Sequence, residues 1–142
     1  MSNLLLGKRI ALVDDNNDGR TIAKMILSNA GYKVTDFASG RSAIDGTKDG
    51  EFDLVVLDIM MPEVDGYQVI SALKSNDKTK DIPVIFLTAR GEPEEIISGY
   101  TEHGADYYIS KPYSASELLN GVKIVLTDPL DEAIAEYQAK NS

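Results

Sequence analysis

Asp58 closes an apolar run, Leu54 to Leu57, and opens the string Asp-Ile-Met-Met-Pro-Glu-Val-Asp-Gly, in which Pro62 and an Asp65-Gly66 turn follow at once. Upstream, the apolar run Ile10 to Val13 also ends in acid, at Asp14 and Asp15. Two further strand-like runs end in Thr88 and, just past the strand, in Lys111. Four strand ends thus deliver three acids, one hydroxyl and one amine. That set suits the holding of a hard divalent cation and a phosphoryl group together.

Taken singly, each residue has an ordinary reading. An Asp-Asp pair after a strand serves as a turn and helix cap, and a strand-end aspartate binds backbone amides. Thr88 is β-branched strand filler, and Lys111 is a surface lysine. The combination points elsewhere. Three carboxylates converging on one crevice repel each other unless a cation neutralises them. Oxygen ligands without His or Cys favour Mg2+ over zinc or copper.

Asp58 can then act as a nucleophile toward phosphorus, giving an acyl phosphate. The transferring oxygens need positive charge, part from Mg2+ and part from the Lys111 ammonium. Lys111 follows a buried strand and precedes Pro112, so its place is rigidly set, and the Lys111–Pro112 bond is a candidate cis peptide. The Thr88 hydroxyl is placed to donate to a phosphoryl oxygen. Tyr108 reads as core by composition, yet from its strand it can pivot between an exposed and a buried rotamer if Thr88 moves. Met60 and Arg90 stand two residues beyond Asp58 and Thr88 and are expected to flank the mouth of the acyl phosphate. Neither is a good general base, and Met60 is apolar enough to exclude water.

The elements that must position these residues are legible. Strands are predicted at Arg9–Val13, Lys33–Phe37, Leu54–Leu57, Val84–Leu87 and Tyr107–Ile109. Four are nearly continuous apolar runs, as in a parallel sheet covered on both faces. The second is more polar, with Lys33, Thr35 and Asp36, and fits an edge. Between them lie helical segments. Asp18 to Ala30 carries Ile22, Met25, Ile26 and Ala30 at helical spacing and is stopped by Gly31. Arg41–Thr47 follows, then Tyr67–Leu73 with Val69, Ile70 and Leu73 on one face. Pro93 opens a helix after the fourth strand, with Glu92, Glu94 and Glu95 at its positive end and the sole histidine, His103, at its close. Ser114–Leu126 turns Leu118, Leu119, Val122 and Leu126 inward, with Gly121 as a weak spot.

This is a βα unit repeated five times. Right-handed crossovers make it an α/β three-layer sandwich. The flavodoxin-like order 2-1-3-4-5 puts the ligand crevice between strands one and three, where Asp14, Asp15 and Asp58 end. A further amphipathic helix is expected from Asp128, with Pro129 in its first turn and Leu130, Ile134 and Tyr137 on one face.

The bulk numbers agree. A chain of 142 residues, 43% apolar and 26% charged, fits one domain with its own core. A net charge of −9 argues against direct contact with nucleic acid or an anionic membrane. With no cysteine, disulfides and thiolate metal sites are excluded. Leu4-Leu5-Leu6 is too short for a signal-peptide core and no run approaches a membrane span, so the chain reads as cytoplasmic.

Val13-Asp14-Asp15, Asp58 through Gly66, Leu87-Thr88-Ala89, Gly104-Ala105-Asp106 and Lys111-Pro112 together resemble the receiver domain of two-component signalling. The chain is similar to CheY-like single-domain response regulators over residues 7–126, leaving 127–142 as a helical extension or linker. The strand order above is in part what this resemblance implies. It further implies that Asp58 accepts a phosphoryl group from a phosphohistidine on a sensor histidine kinase or a phosphotransfer protein. By the same resemblance Asp15 and Asp58 ligate Mg2+ with the main-chain carbonyl of Met60, and Asp14 acts largely through water. Thr88 and Tyr108 form a switch pair, Lys111 binds the phosphate, and Ala89 and Arg90 flank it. Such a chain is a phosphoacceptor switch for an output partner rather than an enzyme.

Two departures stand out. Tyr107 takes a place where the family often has an acid, so a more apolar recognition face is expected. The final helix lies outside the family core. It either docks back near the preceding helix, or mediates a homodimer or leads into an output domain. Alternatives are a receiver cut from a longer regulator or hybrid kinase, and an aspartate-nucleophile phosphohydrolase. The last needs an acid two positions beyond the nucleophile, where this chain has Met60.

Overall fold

The computed structural model describes residues 5–89, 104–127 and 129–140. The helix expected from Pro93, its Glu92, Glu94 and Glu95, Arg90 and His103 lie outside the described residues. Five strands, β1 (Arg9–Val13), β2 (Lys33–Phe37), β3 (Leu54–Asp58), β4 (Val84–Ala89) and β5 (Tyr107–Lys111), form one sheet in the order β2-β1-β3-β4-β5. Every neighbouring pair is parallel. The described helices are α1 (Asn17–Asn29), α2 (Gly40–Thr47), α3 (Gly66–Lys74), α4 (Ala115–Leu126) and α5 (Pro129–Lys140). The α/β sandwich and its strand order are those predicted, with polar β2 at the edge.

Continuous apolar strands supply both cores, because successive side chains face opposite sides of the sheet. Ile10, Leu12, Leu54, Val56, Ile85 and Leu87 pack with Ala23 and Leu27 of α1 and Leu118 and Val122 of α4. Ala11, Val13, Val55, Leu57, Val84 and Phe86 pack on the other face with Val69, Ile70 and Leu73 of α3. The amino-terminal edge of the sheet has its own pins. Asp53 accepts from the Arg9 amide at 2.8 Å, and Asp106 accepts from the Val84 amide at 2.9 Å.

Local signals fix the helix ends. Asn16 caps α1 by accepting from Gly19 N–H, and Gly31, at φ 101°, ends it. Ser114 and Glu117 form a capping box on α4. Gly121, expected to weaken that helix, is required by close approach. A Cβ there would lie 2.8 Å from Ile109 Cδ1 and 3.1 Å from Tyr107 Cε2.

Three expectations need correction. Ile22 and Met25 are 57% and 58% exposed, and α1 instead buries Ala23 and Leu27. The buried stripe is set one residue further on, with Ile26 and Ala30 at its margin. Asp65-Gly66 is not a free turn but the capping-box start of α3, with Asp65 and Gln68 bonded reciprocally. Tyr107 is half-buried, packed beside Ile109 under Gly121 of α4. In α5, Ile134 and Tyr137 are 46% and 68% exposed, so these two do not form a face buried on the receiver.

Candidate acidic site at the carboxyl end of the sheet

Strand register brings the acids together. Val13 pairs with Leu57, so the next step along each strand sets Asp14 beside Asp58. Asp58 pairs with Leu87, and Ala89 with Lys111, which aligns the ends of β3, β4 and β5. The ladder runs further than predicted: Asp58 and Lys111 close β3 and β5, and Thr88 is the penultimate residue of β4, so all three are strand residues rather than loop residues. Lys111–Pro112 is cis, as the sequence suggested.

Carboxylate oxygens of Asp14, Asp15 and Asp58 lie within 4.8 Å of one another. Lys111 Nζ stands between two of them, 3.1 Å from Asp14 Oδ2 and 3.1 Å from Asp58 Oδ2. The other oxygens are held by backbone. Asp14 Oδ1 accepts from Asn16 N–H at 3.0 Å, and Asp58 Oδ1 from Met60 N–H at 3.1 Å. Asp14 and Asp58 are buried and Asp15 is exposed. Among the described residues no hydrogen bond or ion pair holds the Asp15 carboxylate.

Electrostatics point to a site short of positive charge. Burial pushes the Asp58 carboxyl above its ordinary value; Lys111 and the Met60 amide offset this only in part, and Asp14 adds to it. For Lys111, burial works against the ammonium, yet the charges and hydrogen bonds of Asp58 and Asp14 outweigh it and raise its pKa. One ammonium therefore leaves room for a second cation. The donor set fits magnesium: three carboxylates with no His or Cys offer the oxygen ligands that a hard divalent cation takes.

Thr88 is buried, and its Oγ1 has no hydrogen-bond partner among the described residues. A buried hydroxyl without a partner is costly. Strand alternation carries Thr88 and Tyr108 to the sheet face of α3, opposite that of Asp14, Asp58 and Lys111. Tyr108 is half-buried against the core that holds Phe86. Met60 is 61% exposed immediately beyond Asp58. Ala89 closes β4, and Arg90 is outside the described residues. Beside the acids opens a groove of about 490 Å³ lined by Asp14, Asn16, Ile22, Lys111, Pro112 and Tyr113. Burial raises the Tyr113 phenol above its usual range.

Sequence reasoning missed Arg20. Its side chain is 14% exposed and bonds to Asp36 of β2 and to the main-chain carbonyl of Asp14. The signal was an aspartate inside a strand that was read only as edge polarity.

The doubly wound sheet with this acid set at its switch point defines a phosphoacceptor module of two-component signalling. The profile of the response regulator receiver domain matches residues 10–123, and the chain belongs to that family. Receiver domains are signalling switches, generally not enzymes, that bind Mg2+ in an acidic pocket and work with histidine kinases. The chain is 41% identical over 126 residues to the probable transcriptional regulator ycf27 of Galdieria sulphuraria, covering 89% of this chain and 48% of that one. Chemotaxis protein CheY4 of Vibrio cholerae superposes with a TM-score of 0.80 at 29% identity, over 84% of this chain and 99% of that one. The receiver domain of sensor histidine kinase PA1611 from Pseudomonas aeruginosa PAO1 was solved with magnesium coordinated in its active-site cleft. It superposes at 0.75 with 28% identity, over 84% of this chain and 98% of that one. The chain spans about half the length of the curated relatives it matches, 48%, 56% and 52% for three of them. Among the described residues no helix is long and apolar enough to cross a membrane.

Proposed function

We propose that Asp58 is the phosphoacceptor of a cytoplasmic switch, loaded from a phosphohistidine on a sensor kinase or phosphotransfer protein. The observation that carries this is the Lys111 ammonium bridging Asp14 and Asp58 within the acid cluster. An Asp58 oxygen forms the new O–P bond as the donor's N–P bond breaks, and the departing imidazole keeps the electron pair. Met60 N–H fixes the carboxylate through Oδ1 and orients it for attack. Lys111 stays at the reacting end, where its charge favours the phosphoryl oxygens over water. Asp14, Asp15, Asp58 and the Met60 carbonyl are the groups that would hold Mg2+, which supplies charge neutralisation on those oxygens. The Thr88 hydroxyl then gains an acceptor, and its movement makes room for Tyr108 to turn inward, shifting an existing equilibrium.

Ile22, Pro112 and Tyr113 give the groove beside the site an apolar wall suited to a donor protein, and α5 or an attached output domain carries the response onward. The receiver spans 7–126 in this reading, with 127–142 as the extension. Incubation with acetyl phosphate and Mg2+ should add one phosphoryl group to the wild type and none at this position in Asp58→Asn. A modified serine or threonine with Asp58 untouched would overturn the assignment.

A further inference from the structure

Asp15 is the exposed member of the acid cluster, and among the described residues no side chain holds its carboxylate. Its position is set by the turn between β1 and α1. Arg20, on the first turns of α1, uses all three of its nitrogens to tie that turn to α1 and β2. One terminal nitrogen donates to the Asp14 carbonyl at 2.8 Å, and the other to Asn17 Oδ1 at 2.8 Å. Its Nε donates to Asp36 Oδ2 at 3.0 Å, joining the turn to β2. Lys24 Nζ holds the second Asp36 oxygen at 2.8 Å, so the anchor itself is fixed. Lys24 and Arg20 both lower the Asp36 pKa, keeping that anchor ionised.

We infer that Arg20 is a positioning residue for the acidic turn, holding the Asp14 carbonyl so that Asp15 faces Asp58 at the spacing a divalent cation requires. This rests on the metal reading above. The planar fork matters because three acceptors are met from three separate nitrogens held in one plane, whereas a lysine offers a single nitrogen. Groups that orient metal ligands without touching the metal typically set affinity by about 10- to 100-fold. Charge alone makes the opposite forecast. A cation near the acids opposes Mg2+, so its removal should tighten binding, and Arg20→Lys should change nothing.

Amide NMR titration with MgCl2 tests this, with metal-free thermal unfolding run alongside to confirm folding. Arg20→Lys and Arg20→Met should both weaken Mg2+ binding, by about tenfold. Labelling by acetyl phosphate should fall at limiting Mg2+ and recover to the wild-type rate at saturation, a split that a general loss of stability does not produce. Unchanged affinity in Arg20→Lys, or tighter binding in Arg20→Met, overturns the proposal. Should an Arg20 variant fail to fold, Asp36→Asn decides in its place: weaker binding supports the clamp and unchanged binding removes it. Wild type and Asp15→Asn separate the two levels. If the wild type takes up no Mg2+, the metal reading fails and the clamp with it. If the wild type binds and Asp15→Asn does not, while Arg20→Lys is unchanged, only the clamp fails.

Discussion

Replacing Asp58 by Asn should stabilise the metal-free protein although it destroys the acceptor. Asn keeps the side-chain shape and the oxygen that accepts from Met60 N–H, but carries no charge. With that oxygen kept on Met60, the amide NH2 faces Lys111 Nζ, so Lys111 turns wholly to Asp14 and one ammonium–carboxylate bond, worth about 1.5–3 kcal/mol, is lost. Against this, a carboxylate 6% exposed no longer has to be desolvated, a term of several kcal/mol, and repulsion from Asp14 disappears. Lys111 keeps Asp14 as its partner, so no charge is stranded. The balance is a gain of about 1–2 kcal/mol, or about 3–8 °C in Tm for a domain of this size. The sign with pH follows from the raised Asp58 pKa. Ionisation of Asp58 costs nothing below its unfolded value of 3.8, and the penalty grows as pH rises through the folded value and is complete above it. The advantage of Asp58→Asn should therefore be full at pH 7 and shrink toward pH 4, and Mg2+ should shrink it as well. Thermal unfolding by circular dichroism, in EDTA across that range, measures it. A variant no more stable than wild type at pH 7, or one whose advantage grows in acid, refutes the reasoning.

Three further outcomes are expected. Gly121→Ala should lower stability by about 1 kcal/mol despite alanine's better helix propensity, because its methyl would press on Ile109 and Tyr107; a raised urea midpoint would contradict this. Glu63, at φ 63°, holds a left-handed conformation, so Glu63→Gly should raise the unfolding midpoint by the equivalent of about 0.5–1 kcal/mol, and a fall would show that the Glu63 side chain contributes more than the strain costs. Met60→Asn should shorten the lifetime of the acyl phosphate several-fold by giving water a polar partner beside Asp58, followed as loss of label with time; unchanged decay would remove Met60 from the water-excluding role.

Strands and their order were legible because both-face burial forces continuous apolar runs, and those runs end where the acids stand. The acid set itself was legible for the same reason: Asp14, Asp58, Thr88 and Lys111 each close a run. What stayed hidden depended on direction. The buried stripe of α1 was misplaced because Ile22 and Met25 are as apolar as Leu27, and only packing against β1 tells which faces the sheet. Gly121 read as a flaw because its partners, Ile109 and Tyr107, are distant in sequence. Arg20 was missed since its bond to the Asp14 carbonyl involves an atom every residue carries. The exposed side chains of α5 show why a capped, patterned segment does not reveal what it rests on.

The two edges of the sheet share almost no work. Asp53 and Asp106 fasten the amino-terminal edge, while the acids, Thr88 and Lys111 stand at the other. On the reading proposed here, heritable change at the first edge should alter thermal tolerance and leave acceptor chemistry as it was. Change at the second should alter that chemistry and, through relief of buried charge, should harden the fold. A lineage moving to a warmer habitat can adjust one without renegotiating the other, and a lineage losing its kinase has a ready route to a sturdier, silent descendant.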